Sequence, residues 1–123
     1  MNYRPITFES WIGGFVGPSY ELEYSDGALI YRVYERGYDI HKSEVLAPDD
    51  TAWRRFMEAV TVADIWGWEE TYQGQSSSES TTWFINLETE RHRVISKGIN
   101  TYPPSFTDYL RAVRTLIEGR QFA

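Results

Sequence analysis

A chain of 123 residues with no cysteine and a formal net charge of −6 has the length of one domain and can bury a core without covalent staples. The missing cysteine excludes disulfides and thiolate metal ligands, and fits a reducing compartment. Eighteen Asp and Glu against twelve Lys and Arg disfavour direct contact with nucleic-acid phosphates, while suiting either plain solubility or a basic protein partner.

The opening Met1-Asn2-Tyr3-Arg4-Pro5 has no apolar run behind a basic patch, so no secretory signal is expected. No apolar run approaches the roughly 18–20 residues that span a bilayer. No membrane partner is therefore expected, and the cytoplasm is the default location. Ile6 to Ile12 alternates weakly and predicts a first strand, which Gly13-Gly14-Phe15-Val16-Gly17-Pro18 breaks. Gly13 to Gly17 lacks the G-x-x-x-x-G-K-[ST] spacing of a phosphate loop and reads as a turn or bulge. Tyr20 to Ser25 and Ala28 to Glu35 flank Asp26-Gly27, a pair that supplies the positive φ angles of a type I′ turn. Closing a hairpin there sets Tyr24 opposite Leu29, Leu22 opposite Tyr31 and Tyr20 opposite Val33 on one face. The other face then sets Glu21 opposite Arg32 and Glu23 opposite Ile30, an apolar side and a polar side. Tyr38 to Val45 predicts a further short strand.

Pro48-Asp49-Asp50 opens a helix, with Pro suited to the first helical position and the carboxylates to the positive helix end. Trp53, Phe56, Met57 and Val60 fall at i, i+3, i+4 and i+7 and make a buried stripe. Trp66 to Tyr72 reads as extended, and Gly74 to Ser80, with Ser76-Ser77-Ser78 at its tip, as a loop. Residues 81–88 and 92–97 predict a second hairpin. A turn at Thr89-Glu90 would pair Ile85 with Val94 and Glu88 with Arg91, and would put Trp83 inside. Thr-Glu suits a type I′ turn poorly, so this register is weakly specified. Ser105 with Asp108 three residues on approximates a capping box. Phe106, Tyr109, Leu110, Val113 and Ile117 form the buried stripe of a closing helix; Arg111, Arg114 and Glu118 face water, and Gly119 stops it. Each half of the chain carries a hairpin, then a proline, then a helix, the outline an old duplication would leave. The expected fold is a single α+β domain, a mainly antiparallel sheet built from hairpins with two amphipathic helices on one face.

Trp68 to Tyr72, Trp83 and Gly98-Ile99-Asn100-Thr101-Tyr102-Pro103 together resemble a group of small, uncharacterised bacterial domains. In that group a Trp-x-x-x-Tyr segment precedes a strand of the type Asp-Gly-x-x-Trp, and a second strand runs into Gly-x-Asn-x-Tyr/Phe-Pro and a closing helix. Gly13-Gly14-Phe15 and Asp26-Gly27 are similar to the group's N-terminal half. The chain departs from the pattern before Trp83, where Ser80-Thr81-Thr82 replaces the Asp-Gly turn. The group has no established function, so the resemblance implies a fold and no chemistry.

No catalytic constellation stands out. Glu69 and Glu70 are adjacent, and on an extended strand adjacent side chains point to opposite faces, so they cannot act together on one atom. His41 and His92 are the chain's two histidines; neither has a His-x-x-x-His or acidic partner at ligand spacing, and no metal or cofactor is expected. No Gly-x-Ser-x-Gly elbow is present. Asn100, between Gly98 and Pro103-Pro104, suits a turn that needs a side-chain cap or a left-handed backbone. The aromatic content, five Trp and nine Tyr, exceeds what the predicted core stripes use: Tyr34, Tyr38, Trp66, Trp68, Tyr72, Phe84 and Tyr102 have no inward assignment. Exposed Trp and Tyr anchor protein interfaces and stack on sugars or bases. The chain therefore reads as a non-enzymatic, acidic protein-binding module using Trp66, Trp68, Glu69, Glu70, Tyr72, Asn100 and Tyr102. Its sharpest form is an immunity-type or other inhibitor of a basic bacterial or phage protein. The rival reading is a sugar or nucleotide binder stacking its ligand on the same rings, and an enzyme using Glu70 or His41 is a third.

Overall fold

The computed structural model describes residues 3–14, 17–36, 39–75 and 80–123; the expectations for Phe15, Val16, Tyr38 and Ser76 to Ser78 fall outside them. Seven strands form one sheet in the order β4-β3-β2-β1-β6-β7-β5. They are β1 (Thr7–Gly13), β2 (Ser19–Ser25), β3 (Ala28–Arg36), β4 (Asp39–Leu46), β5 (Thr71–Gln73), β6 (Thr82–Glu88) and β7 (Arg93–Ile99). Helix α1 (Asp50–Val62) follows β4 and helix α2 (Phe106–Leu116) follows β7. The first four strands form an antiparallel meander, and β1 joins it to β6. The three-residue β5 runs parallel to β7 at the far edge, so the sheet is mixed and the two halves are wound differently.

Local chemistry sets the first hairpin. Asp26 and Gly27 take φ angles of 50° and 81°, the two positive values of a type I′ turn. The register pairs Tyr24 with Leu29, Leu22 with Tyr31, Tyr20 with Val33 and Glu21 with Arg32. On the polar face the Arg32 guanidinium sits 2.7 Å from Glu21 and 3.5 Å from Glu23.

Four expectations need correction. Pro48 precedes α1 rather than opening it: Asp49 is the cap, its side chain accepting from the Ala52 N–H at 2.8 Å, because a carboxylate satisfies a free helix donor directly. The Trp66 to Tyr72 segment is not uniformly extended. Asp64 adopts a left-handed φ of 56° and Ile65–Gly67 forms a single 3-10 turn. The second hairpin closes on a longer loop, so Leu87 pairs with Val94, Ile85 with Ser96 and Glu88 with Arg93. The Thr89 hydroxyl accepts from the Arg91 and His92 amides inside that loop at 3.3 and 3.1 Å, which Thr-Glu as a two-residue turn would not allow. Finally, Ser105 makes no side-chain cap to α2; its hydroxyl accepts from the Trp68 indole at 3.0 Å.

Both helices lie on the face carrying Phe8, Leu22, Leu29, Tyr31, Trp83, Ile85 and Leu87, and these pack with Trp53, Phe56, Val60, Tyr109, Val113 and Ile117 in one core. The α1 stripe is buried as its spacing predicts, while Leu110 of α2 is only partly buried. Gly119, at φ 82°, closes α2 by donating to the Arg114 carbonyl at 2.8 Å. Tyr109 is 1% exposed and shares a 2.5 Å hydrogen bond with the buried Ser10 hydroxyl of β1. Among the described residues no helix is long and apolar enough to cross a membrane.

Burial pushes the Tyr109 hydroxyl well above the usual tyrosine range; burial also raises Tyr31, and burial with a hydrogen bond to Glu21 raises Tyr34. A group whose pKa is higher folded than unfolded stabilises the fold below its unfolded value and loses that contribution as pH rises through the folded one. Stability should therefore decline above a pH of about 10, where unfolded tyrosines ionise first. Urea unfolding at neutral pH and at a pH of about 10.5 checks this. Tyr109→Phe should cost about 1 kcal/mol at neutral pH, leaving Ser10 short of a partner, yet flatten the alkaline decline. An unchanged alkaline slope in that variant would contradict the assignment.

Candidate functional site

The candidate residues are organised around Trp83. It lies on the inner face of β6, 2% exposed, directly opposite Gly98 of β7. Glycine is required there by space: a Cβ on Gly98 would sit 2.3 Å from the Trp83 indole nitrogen and 2.6 Å from the Thr101 carbonyl oxygen. Through that gap the indole N–H donates to the Thr101 carbonyl at 2.9 Å. Asn100 takes a left-handed φ of 52°, which asparagine tolerates better than other side-chain-bearing residues. Its Oδ1 accepts from the Thr81 N–H at 2.9 Å, and its Nδ2 donates to the Gln75 carbonyl at 2.8 Å and the Ser80 hydroxyl at 3.2 Å. The Gly-x-Asn-x-Tyr-Pro segment is thus a lock joining the end of β7 to the strands and loop beside it.

The rings divide into two groups. Trp68, Tyr72 and Tyr102 all contact Trp83, at centroid separations of 5.8, 5.8 and 6.4 Å. Phe106 touches Trp83 and Tyr102, at 4.9 Å from each. Trp68 and Tyr72 are half-buried against the core, whereas Tyr102 is 41% exposed and caps the stack. Trp66 belongs elsewhere: its ring stacks on His92 at 4.9 Å, and its indole donates to Thr61 at 3.0 Å. Of the remaining uncommitted aromatics, Tyr34 is buried beneath Trp11 on the helix-free face, with ring centroids 5.2 Å apart, and Phe84 is half-buried on that face.

Glu69 and Glu70 are both exposed, and among the described residues neither carboxylate joins an ion pair. Their backbones are committed to the sheet: the Glu69 carbonyl accepts from Ser96 at 2.5 Å and the Glu70 carbonyl from the Lys97 amide at 3.0 Å. The Tyr72 hydroxyl accepts from the Glu69 amide at 3.0 Å, tying the acidic pair to the ring cluster. His41 sits on β4 at the opposite edge of the sheet, 3.8 Å from Glu35, so it does not converge with Glu70 on a common atom. Among the described residues no group of three or more His, Asp or Glu is placed to hold a metal ion.

A cleft the sequence did not announce lies beside Tyr102. Its volume is about 560 Å³, its walls include Pro18, Tyr20, Thr81, Tyr102, Phe106 and Ala123, and among the described residues no charged side chain lines it. Tyr20 was legible only as an inner-face hairpin residue, and no local pattern ties Pro18 to Tyr102. A groove of about 650 Å³ also runs between α1 and α2, lined by Arg55, Glu58, Asp108 and Arg111 among others, of which Arg111 and Asp108 pair at 3.0 Å.

The lock can be tested by stability. Gly98→Ala should cost about 1–3 kcal/mol through the clash with Trp83. Asn100→Ala should cost about 1–2 kcal/mol, from lost hydrogen bonds and an unfavourable φ, and Asn100→Asp, which keeps only the acceptor role, should fall between. Chemical denaturation midpoints decide; an unchanged midpoint in Asn100→Ala would show that the side-chain bonds add nothing. No protein-family model matches the chain, and no curated protein does.

Proposed function

We propose that the chain is a non-enzymatic binding module that takes a basic protein partner at the corner formed by Glu69, Glu70, Tyr72 and Tyr102. The observation that carries this reading is the Tyr102 ring, 41% exposed yet seated on Trp83 and Phe106, around the same cluster as two exposed carboxylates without ion-pair partners among the described residues. A tyrosine already packed on rings loses little side-chain freedom on binding, and interfacial Tyr beside unpaired charge combines an anchor with steering. Trp68 contributes beneath the surface and Asn100 by fixing the backbone of Tyr102, while Trp66, stacked on His92, lies outside this corner. The overall acidity supports a basic partner, and inhibition of a bacterial or phage protein in an immunity-type role is the form this takes most naturally. The resemblance to small bacterial domains belongs to the same proposal.

Partner capture from lysate tests it by comparison. Proteins retained by the wild type at low salt should be released as ionic strength rises, and should be missing from a Glu69→Lys/Glu70→Lys variant and from Tyr102→Ala. Identical capture by all three chains would defeat the reading.

One observation favours the small-ligand alternative: among the described residues no charged side chain lines the cleft beside Tyr102. A nucleotide would find no cation there for its phosphates, so a neutral sugar is the ligand it suits. Titrating neutral oligosaccharides should then shift the tryptophan emission through Trp83, and Tyr102→Ala should abolish the shift. A flat response across mono- to tetrasaccharides would remove this alternative.

A further inference from the structure

β4 is an eight-residue strand at one edge of the sheet, and among the described residues nothing pairs with its outer side. Open edges of that length are templates for another strand unless something blocks them. Two branched aliphatics stand out on it, Ile40 at 60% and Val45 at 72% exposure.

The direction of its free backbone groups follows from the hairpin upstream. The two-residue turn makes Ser25 and Ala28 a hydrogen-bonded pair, so Ala28, Ile30 and Arg32 turn their amides and carbonyls to β2. Leu29, Tyr31 and Val33 then bond to β4 through Leu46, Glu44 and Lys42. The outward N–H and C=O groups of β4 therefore belong to Ser43 and Val45, with His41 at the ladder irregularity next to Tyr34.

A second copy of the same strand meets these groups. Antiparallel about a twofold axis at Ser43, each copy sets Ser43 against the partner's Ser43 and Val45 against the partner's His41. Lys42 then stands opposite the partner's Glu44, and Glu44 opposite the partner's Lys42, at the closer non-hydrogen-bonded positions where side chains interact most. Sliding by two residues either way sets lysine against lysine or glutamate against glutamate. Within one chain the two charges already form a group: the Lys42 ammonium lies 2.7 Å from Glu44, and Arg120 donates to the same carboxylate at 2.9 Å. Charges at an edge deter foreign strands, and here the deterring pair is complementary to itself. We propose that the chain forms a symmetric homodimer by joining β4 to β4 in this register, making one continuous sheet across two copies.

Light scattering over about 10 μM to about 1 mM should show the mass rising from 14.4 kDa toward twice that value. Ser43→Pro removes a donor aimed away from β3, which an edge strand tolerates. It should keep the far-ultraviolet circular dichroism of the wild type yet stay at the mass of one chain. Lys42→Glu should raise the concentration of half-dimerisation about tenfold or more, while Lys42→Arg leaves it within about threefold. A wild-type mass that stays at one chain through about 1 mM overturns the proposal, and so does a dimer that Ser43→Pro leaves intact.

Discussion

The contact on which this molecule's second half depends is a tryptophan lying across a glycine. Trp83 can bury its indole only because Gly98 has no side chain, and its N–H then finds the Thr101 carbonyl three residues further on. That bond fixes where the chain leaves β7, and so where α2 begins and where Tyr102 emerges. Trp68, Tyr72 and Phe106 pack on the same indole, so an edge strand, a hairpin and a helix start share one anchor. The aromatic excess of the sequence is largely accounted for here, as packing that displays one ring to water.

Coverage of the sheet is one-sided. Both helices occupy a single face, and the opposite face is closed by its own side chains: Arg32 spans Glu21 and Glu23, and the Tyr34 hydroxyl donates to Glu21 at 2.9 Å while its ring lies against Trp11. An antiparallel sheet can carry a solvated face when charged and aromatic side chains shield the ladder in this way. Acidity on this face is thus partly structural, whereas Glu69 and Glu70 spend only their backbones on the fold.

Much of the first half is readable in the chain because its signals are local. Asp26-Gly27 dictates a turn type, the turn dictates a register, and the register sorts apolar from polar residues without reference to anything distant. The α1 stripe is legible for the same reason. The second half is decided by contacts between residues far apart in sequence. Thr89 to His92 carries no two-residue turn signal, so the hairpin register is settled by where Trp83 must sit against Gly98. Ser105 has the composition of a helix cap, yet its hydroxyl is held by Trp68, 37 residues earlier. The parallel placement of β5 arises because β6 intervenes in the chain between β5 and β7 and pairs antiparallel with β7, which no short pattern encodes. At the candidate site, Asn100 was recognisable as a turn residue, but its reach to Thr81, Gln75 and Ser80 was not. The cleft beside Tyr102 was illegible because its walls come from β1, β2, the approach to β6, the start of α2 and residues 121–123.

The two edges of the sheet are unequal, and that asymmetry governs how matter can be added to it. β5 offers three residues beyond β7, whereas β4 offers eight. A strand of three residues gives too few main-chain bonds to hold a newcomer in register, so growth at that end does not propagate. Growth at the other end, when like meets like about a twofold axis, consumes the longer of the two edges among the described residues. Addition of this kind stops after one step: the geometry permits a closed pair and forbids a fibre.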